Sequence, residues 1–236
     1  MISAIVISFS DHNYIKDCID SLAFVDEVII VGNIDPIILL ELKHNQPIQF
    51  VNSEAVDLDE LYKQASLKTT HDWILGLEAN HCISKQLSQE IMEARLKTNS
   101  KEVFKVKTEY SFMGKLMKFS GYKTSYTTLL FHKKLHNSNF VTRKLKHPIK
   151  ELYKGFDSHN ERLNKKAKLS AKLLYAKNIR PNFIHFLCKP VWEFKTNFIF
   201  KLGVLDGKEG FIFAYLKAFN TFKTYLFLWL LYRNLE

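Results

Sequence analysis

Disulfide chemistry is largely closed to this chain. Its 236 residues include three cysteines, Cys18, Cys82 and Cys188, widely spaced and odd in number, so neither a disulfide framework nor a CxxC zinc module is available. A reducing, cytosolic location is the expectation. No basic residue precedes the first apolar stretch in MISAIVISFSDHN and no small-residue cleavage site follows it, so a secretory signal is not expected. A long apolar run is also missing. The stretch Thr224 to Tyr232 (TYLFLWLLY) is short of the roughly 20 residues a membrane span needs, and extending it back to Phe211 takes in Lys217 and Lys223. There is no internal repeat and no low-complexity tract. Disorder is excluded as the main state by the 47% hydrophobic and 14% aromatic content, including 19 Phe.

Acidic residues are scarce in one part of the chain only. The net charge is +10, but residues 1 to 100 hold 7 Lys/Arg against 15 Asp/Glu, and residues 101 to 236 hold 27 against 9. From Lys133 to Lys189 there are 15 basic and 3 acidic side chains. An acidic half suits a cation, and a basic half suits a polyanion or an anionic membrane surface. Nucleic acid is not the expected polyanion, because no helix-turn-helix, RNP or zinc-finger pattern accompanies the charge.

What is present first is an alternation. Ile2 to Phe9 is β-branched and nearly all apolar, as in a strand buried on both faces of a parallel sheet. Asn13 can cap a helix over Tyr14 to Leu22 that presents Ile15, Cys18, Ile19 and Leu22 on one face. Further strands are predicted at Glu27 to Val31, Ile48 to Val51 and Trp73 to Leu77. Helices are predicted after Pro36, from Asp57 to about Lys68, and from Ser84 to about Lys97. Four strand–helix alternations in about 100 residues argue for an α/β layer with a parallel sheet. Later strands are predicted from Val103 to Tyr110 and from Tyr126 to Phe131. The region after Phe194 is dense in aromatic and aliphatic residues.

In an open α/β sheet, ligands bind beyond the carboxyl ends of the strands. That rule selects Ser8 to Asn13, Gly32 to Asp35 and Glu78 to Cys82, which carry the carboxylates Asp11, Asp35 and Glu78. Ser8, Asp11, Asp35 and Glu78 are the candidate donor-binding residues. Glu78 and Asn80, at i and i+2, place two oxygen-bearing side chains on one side of an extended segment, as would suit a hard cation such as Mg²⁺ or Mn²⁺.

These residues carry a family resemblance. WILGLEANHCISKQLSQEI resembles the stretch of family 2 glycosyltransferases of the lipopolysaccharide core glucosyltransferase type in which a Trp-containing strand enters an Asp-Ala-Asp-Glu turn and a helix. ISAIVISFSDHNYIKDCIDSL and VDEVIIV resemble the family's opening elements, and EYSFMGKLMKFSGYK its Tyr-x-Phe-x-Gly-Lys segment. FIFKLGVLDGKEGFIFAYLKAF, with Leu205-Asp206-Gly207 and Gly210, resembles its C-terminal signature. The resemblance implies a GT-A, Rossmann-like nucleotide-diphospho-sugar transferase domain over residues 1–180. It also implies an inverting transfer of a hexose onto a lipid-linked saccharide acceptor. Residues 181–236 are expected to form a mainly helical extension, packed on the domain or on the membrane surface. A peripheral position on the cytoplasmic face of the inner membrane follows from such an acceptor.

The departures from the family pattern fall in the site. Glu78 and Asn80 stand where the family has Asp-x-Asp, so a cation would be held weakly. Gly32 stands where its second strand ends in an acid, and an arginine expected near Leu129 is absent. His147-Pro148 stands where it has His-Glu, leaving His147 or Glu151 as the base. A divergent enzyme and a catalytically impaired GT-A scaffold serving as a binding protein are both open readings. Asp206 is expected to serve packing or a turn. His132 and His136 have the spacing of a helical metal pair but lie at a strand end, so surface histidines are expected.

Overall fold

The computed structural model describes residues 1–8, 12–32, 46–53, 57–98, 101–133 and 140–235. The chain divides into two compact units, one of residues 1–109 with 125–152 and the other of 110–124 with 153–236. The α/β class and the helical C-terminal part expected from the sequence are both present.

The first unit is built on strands β1 (Ser3–Ser8), β2 (Glu27–Gly32), β3 (Ile48–Asn52) and β4 (Trp73–Glu78), parallel and in the order β3-β2-β1-β4. The two-residue β5 (His81–Cys82) follows β4 directly. Strand β6 (Glu102–Phe112) gives this unit its residues up to Glu109, and β7 (Lys115–Leu116) pairs with the end of β6 in the second unit. β8 (Tyr126–His132) joins antiparallel between β4 and β6. β9 (Val141–Lys144) pairs with β6, and β10 (Ile149–Glu151) pairs with β5.

Alternation explains how β1 is buried on both sides. Ala4 and Val6 point into one core with Val28, Ile30, Leu75 and Leu77. Ile5 and Ile7 point into the other with Ile29, Val31 and Ile74. Helix α1 (His12–Asp20) seals the first core with Ile15, Cys18 and Ile19, and Leu22 follows from the turn after it. Helix α2 (Leu58–Ser66) seals the second with Leu61 and Ala65, and helix α3 (Lys85–Lys97) adds Leu87 and Ile91 to the first. Burying one such aliphatic side chain stabilises the fold by about 1.5–3 kcal/mol. Asp57 caps α2 by accepting from Asp59 N–H at 3.3 Å, and Ser84 caps α3 by accepting from Leu87 N–H at 3.2 Å.

Two expectations need correction. Helix α1 already begins at His12, so Asn13 lies in its first turn and does not precede it. His132 is buried, not on the surface, with its ring edge-on to Trp73 at 5.4 Å. The apolar strand end on which it lies carries the imidazole inward. His136 and the helix expected after Pro36 lie outside the described residues.

The second unit contains helices α4 (Phe156–Ala176), α5 (Phe183–Lys195) and α6 (Gly207–Tyr232). Its core joins Tyr110, Phe112, Met117 and Phe213. Asn182 accepts from His185 N–H at 3.1 Å while His185 Nδ1 accepts from Asn182 N–H at 3.2 Å, a reciprocal cap with His in the usual Glu/Gln place. Pro190 interrupts the donors of α5, and a π turn over Thr196–Phe200 follows the helix. The chain then reverses, and α6 runs back along α5: Phe194 meets Phe211, Phe186 meets Phe222, and His185 stacks on Tyr225.

Asp206 secures the start of α6. One carboxylate oxygen accepts from Lys118 and Phe119 N–H at 3.1 and 3.2 Å, and the other from Phe119 N–H and Ser120 Oγ at 3.1 and 2.9 Å. Its own carbonyl accepts from Lys115 Nζ at 2.5 Å. The packing role expected of Asp206 is what the structure shows. Gly210 is required beside it, because a Cβ there would lie 2.0 Å from the Gly203 carbonyl oxygen.

Candidate functional site

The chain runs from β1 outward through β2 and β3, then returns to place β4 on the other side of β1. The reversal is a topological switch point, and in open α/β sheets ligands bind beyond the carboxyl ends of the strands there, here β1 and β4. Register places Ser8 beside Gly32 and Ile7 beside Glu78, so the candidate donor-binding residues Ser8 and Glu78 both lie at this edge. Asp11 and Asp35 lie outside the described residues.

Gly32 is there for a steric reason. Its φ is +133°, and a Cβ would lie 2.1 Å from the Ser8 carbonyl oxygen, so no acidic side chain can occupy this position on this backbone.

Glu78 is half-buried on the face of β4 that also carries Ile74 and Gly76. Tyr62 of α2 packs against Gly76, where a Cβ would come within 2.8 Å of its ring. Burial, and after it the negative charge of Glu78, push the Tyr62 phenol above its ordinary range. The sequence reading missed it, since i, i+3 and i+4 spacing with Leu61 and Ala65 marks only a core-facing helix turn.

The turn after β4 is held from several sides. Ala79 N–H donates to Ile7 carbonyl at 2.9 Å, and Glu78 N–H donates to His81 Nδ1 at 3.2 Å. An Nδ1 that accepts carries no proton, so His81 has its proton on Nε2. Asn80 is 1% exposed, and its Nδ2 donates to Glu151 Oε1 at 3.2 Å. Leu152 N–H donates to the Asn80 carbonyl at 2.8 Å, and Glu151 pairs with His81 across β10 and β5. The structure thus brings Glu151 to the turn that follows Glu78.

His147 is engaged elsewhere in the same unit. Its Nδ1 lies 2.9 Å from Glu90 Oε2 of α3, and its N–H donates to that oxygen at 3.0 Å. Lys146 N–H donates to Glu90 Oε1 at 2.7 Å. Burial raises the Glu90 pKa, but the hydrogen bonds from His147 and Lys146 outweigh it and hold the carboxyl below its usual range. The pair lines a cleft of about 550 Å³ between α3 and β9, with Glu102, Arg143 and Lys144.

The Asn80 amide is buried and committed to Glu151, and the described residues contain no group of three or more His, Cys, Asp or Glu placed to share an ion. Among the described residues, Ser8 and Glu78 carry oxygen-bearing side chains at this strand edge.

No family model matches the sequence. Among solved structures, the chain is similar to S. aureus TarS 1–349 in complex with UDP-GlcNAc, at 12% identity and a TM-score of 0.46 over 99% of this chain and 92% of that one. It is similar to a nucleotidyl transferase from Methanothermobacter thermautotroptrophicus, at 14% identity and a TM-score of 0.39 over 57% and 73% of the two chains. The corresponding figures for 4-diphosphocytidyl-2C-methyl-D-erythritol synthase from Anaerococcus prevotii are 20% and 0.38 over 57% and 72%.

Proposed function

We propose that this chain is an inverting glycosyltransferase that moves a hexose from a nucleotide-diphosphate sugar to a lipopolysaccharide-core or related lipid-linked saccharide. It would work on an anionic membrane surface at the cytoplasmic face of the inner membrane. The observation that carries the reading is the position of Glu78 at the switch point, beside the end of β1. The motif resemblance converges on the same turn.

In this reading, Ser8 and Glu78 orient the donor at the carboxyl ends of β1 and β4, with Asp11 and Asp35 proposed on the same edge. A base takes the proton of the acceptor hydroxyl as its oxygen forms the new bond to the anomeric carbon. The bond from that carbon to the diphosphate breaks, and the nucleoside diphosphate leaves with the electron pair. Glu151 is the base we favour, because Asn80 and the pairing with His81 hold its carboxylate beside the Glu78 turn. His147, oriented by Glu90, is the alternative base. A divalent cation, Mg²⁺ or Mn²⁺, held through Glu78 and the diphosphate oxygens, would neutralise charge on the leaving group.

The test is titration of the purified chain with nucleotide sugars by calorimetry, together with release of nucleoside diphosphate. Glu78→Ala is expected to weaken donor binding at least tenfold, and Glu151→Gln to abolish transfer while donor binding persists. If the wild type binds and turns over no nucleotide sugar, and Glu78→Ala leaves cellular glycan unchanged, the enzymatic reading fails. The burial of Asn80 against Glu151 favours a second reading, a scaffold that binds donor or glycan without transfer. Donor binding without turnover, not restored by Asn80→Asp with Pro148→Glu, would select it.

A further inference from the structure

We infer that the α5–α6 hairpin of the second unit is an insertion surface for an anionic lipid bilayer, with its reversal at residues 199–205 entering the headgroup and upper acyl region. This contact does not depend on the glycosyltransferase reading and is read from different residues.

Helix α5 is apolar on both faces. Its inner face, with His185, Phe186 and Phe194, packs on α6. Its outer face repeats at helical spacing through Phe183, Ile184, Leu187, Val191 and Trp192, all of them exposed. An ordinary surface helix would be polar there. The exposed apolar surface continues around the reversal through Ile199, Phe200, Leu202, Val204 and Leu205, with Phe200 63% and Leu205 60% exposed. Trp192 and Phe200 touch, with ring centroids 5.7 Å apart, so the helix stripe and the tip form one patch. A soluble surface rarely leaves so much contiguous apolar area open to water.

Charge indicates what covers it. Lys189, Lys195, Lys201 and Lys208 are exposed around the patch. The acidic groups of this end are engaged: Asp206 by backbone amides, Glu209 by Lys115 at 3.1 Å, and Glu193 by Asn197 Nδ2 at 2.7 Å. An apolar patch rimmed by lysines, with aromatic rings at its border, matches the boundary between anionic headgroups and acyl chains. Among the described residues, no helix is long and apolar enough to cross a membrane, so the hairpin would enter one leaflet without spanning. The contact surface is not the segment Thr224 to Tyr232, where Thr224 and Leu228 are buried and Tyr225 is stacked on His185.

The test uses the full chain with vesicles of phosphatidylcholine alone and of phosphatidylcholine with phosphatidylglycerol at about 3:1. Wild type is expected to sediment with the anionic vesicles at least tenfold more strongly than with the neutral ones, and less so in high salt. The double variant Phe200→Asp, Leu205→Asp should lose at least tenfold of that binding. Both side chains are exposed, so a thermal melt like wild type's is expected and shows that folding is intact. Brominated lipid should quench fluorescence in wild type more than in Trp192→Phe. The inference is overturned if the double variant binds anionic vesicles as wild type does. It is also overturned if light scattering shows a dimer that the double variant breaks while no vesicle binding occurs, which would make the occupant a second copy. Donor titration without vesicles reports on the glycosyltransferase reading alone.

Discussion

The side-chain amide of Asn80 donates to the carboxylate of Glu151 at 3.2 Å, joining residues 71 positions apart across the edge of the sheet. At the level of sequence the asparagine is a candidate cation ligand weaker than the aspartate of the family pattern. In the fold its Nδ2 is a neutral donor to a carboxylate held against a buried turn.

Asn80→Asp would place two carboxylates within hydrogen-bonding distance in a buried setting, so one of them must take up a proton or share a cation. Such a pair has a raised apparent pKa, and the cost of holding both groups ionised grows as pH rises through it. The expected result is a loss of about 2 kcal/mol at pH 7.5, smaller at pH 5, and partly recovered by millimolar Mn²⁺. Thermal melts across that pH range, with and without Mn²⁺, give the answer; a melt at pH 7.5 equal to wild type's would contradict it.

Gly32→Ala is expected to destabilise by about 3 kcal/mol or more. The new methyl meets backbone 2.1 Å away at a φ of +133°, and a carbonyl cannot swing aside as a side chain can. Gly114→Ala is the control, since its φ of +84° is strained but nothing lies within 4 Å, and about 1 kcal/mol is expected. Urea denaturation midpoints compare the two.

Glu90→Gln tests the anchor of His147. The folded-state pKa of Glu90 lies below its ordinary value, so its stabilisation is fully present above the unfolded pKa and is lost as pH falls through the folded one. The variant should therefore be about 1–2 kcal/mol less stable at pH 7, with the difference shrinking below about pH 4.5. A difference that stays constant from pH 7 to pH 3 would show that the charge of Glu90 is not what anchors the loop.

Asp206→Ala removes the acceptor of four hydrogen bonds and is expected to cost about 3–4 kcal/mol. Asp206→Asn keeps one oxygen acceptor and should lose roughly half as much. Chemical denaturation of the two variants beside wild type measures the ordering.

The elements that the sequence made legible are those with a strong period or a local stop signal. Ile2 to Phe9 reads as a doubly buried strand because nearly every residue is apolar. Asp57 and Ser84 mark helix starts because a short oxygen side chain can satisfy a free N–H within its own turn. Helix α4 begins at Phe156, ahead of the apolar period that becomes clear near Ala167. Its first turns are polar and face inward only through residues such as His159 and Leu163. Strands β9 and β10 are too short to carry a period, and their pairing is with partners distant in the chain.

The sequence by itself determined the α/β alternation, the apolar faces of α1 and β1, and the edge at which Ser8 and Glu78 meet, because these follow from local periodicity and from the rule for parallel sheets. Only the tertiary structure decided which groups stand together at that edge. It placed Tyr62 against Gly76, tied Asn80 to Glu151, gave His147 to Glu90 and showed that Gly32 has no room for a side chain. It also showed which apolar residues of the C-terminal helices are left facing water. Composition counts them all alike, and burial is a property of what lies opposite a residue, which no spacing along the chain records.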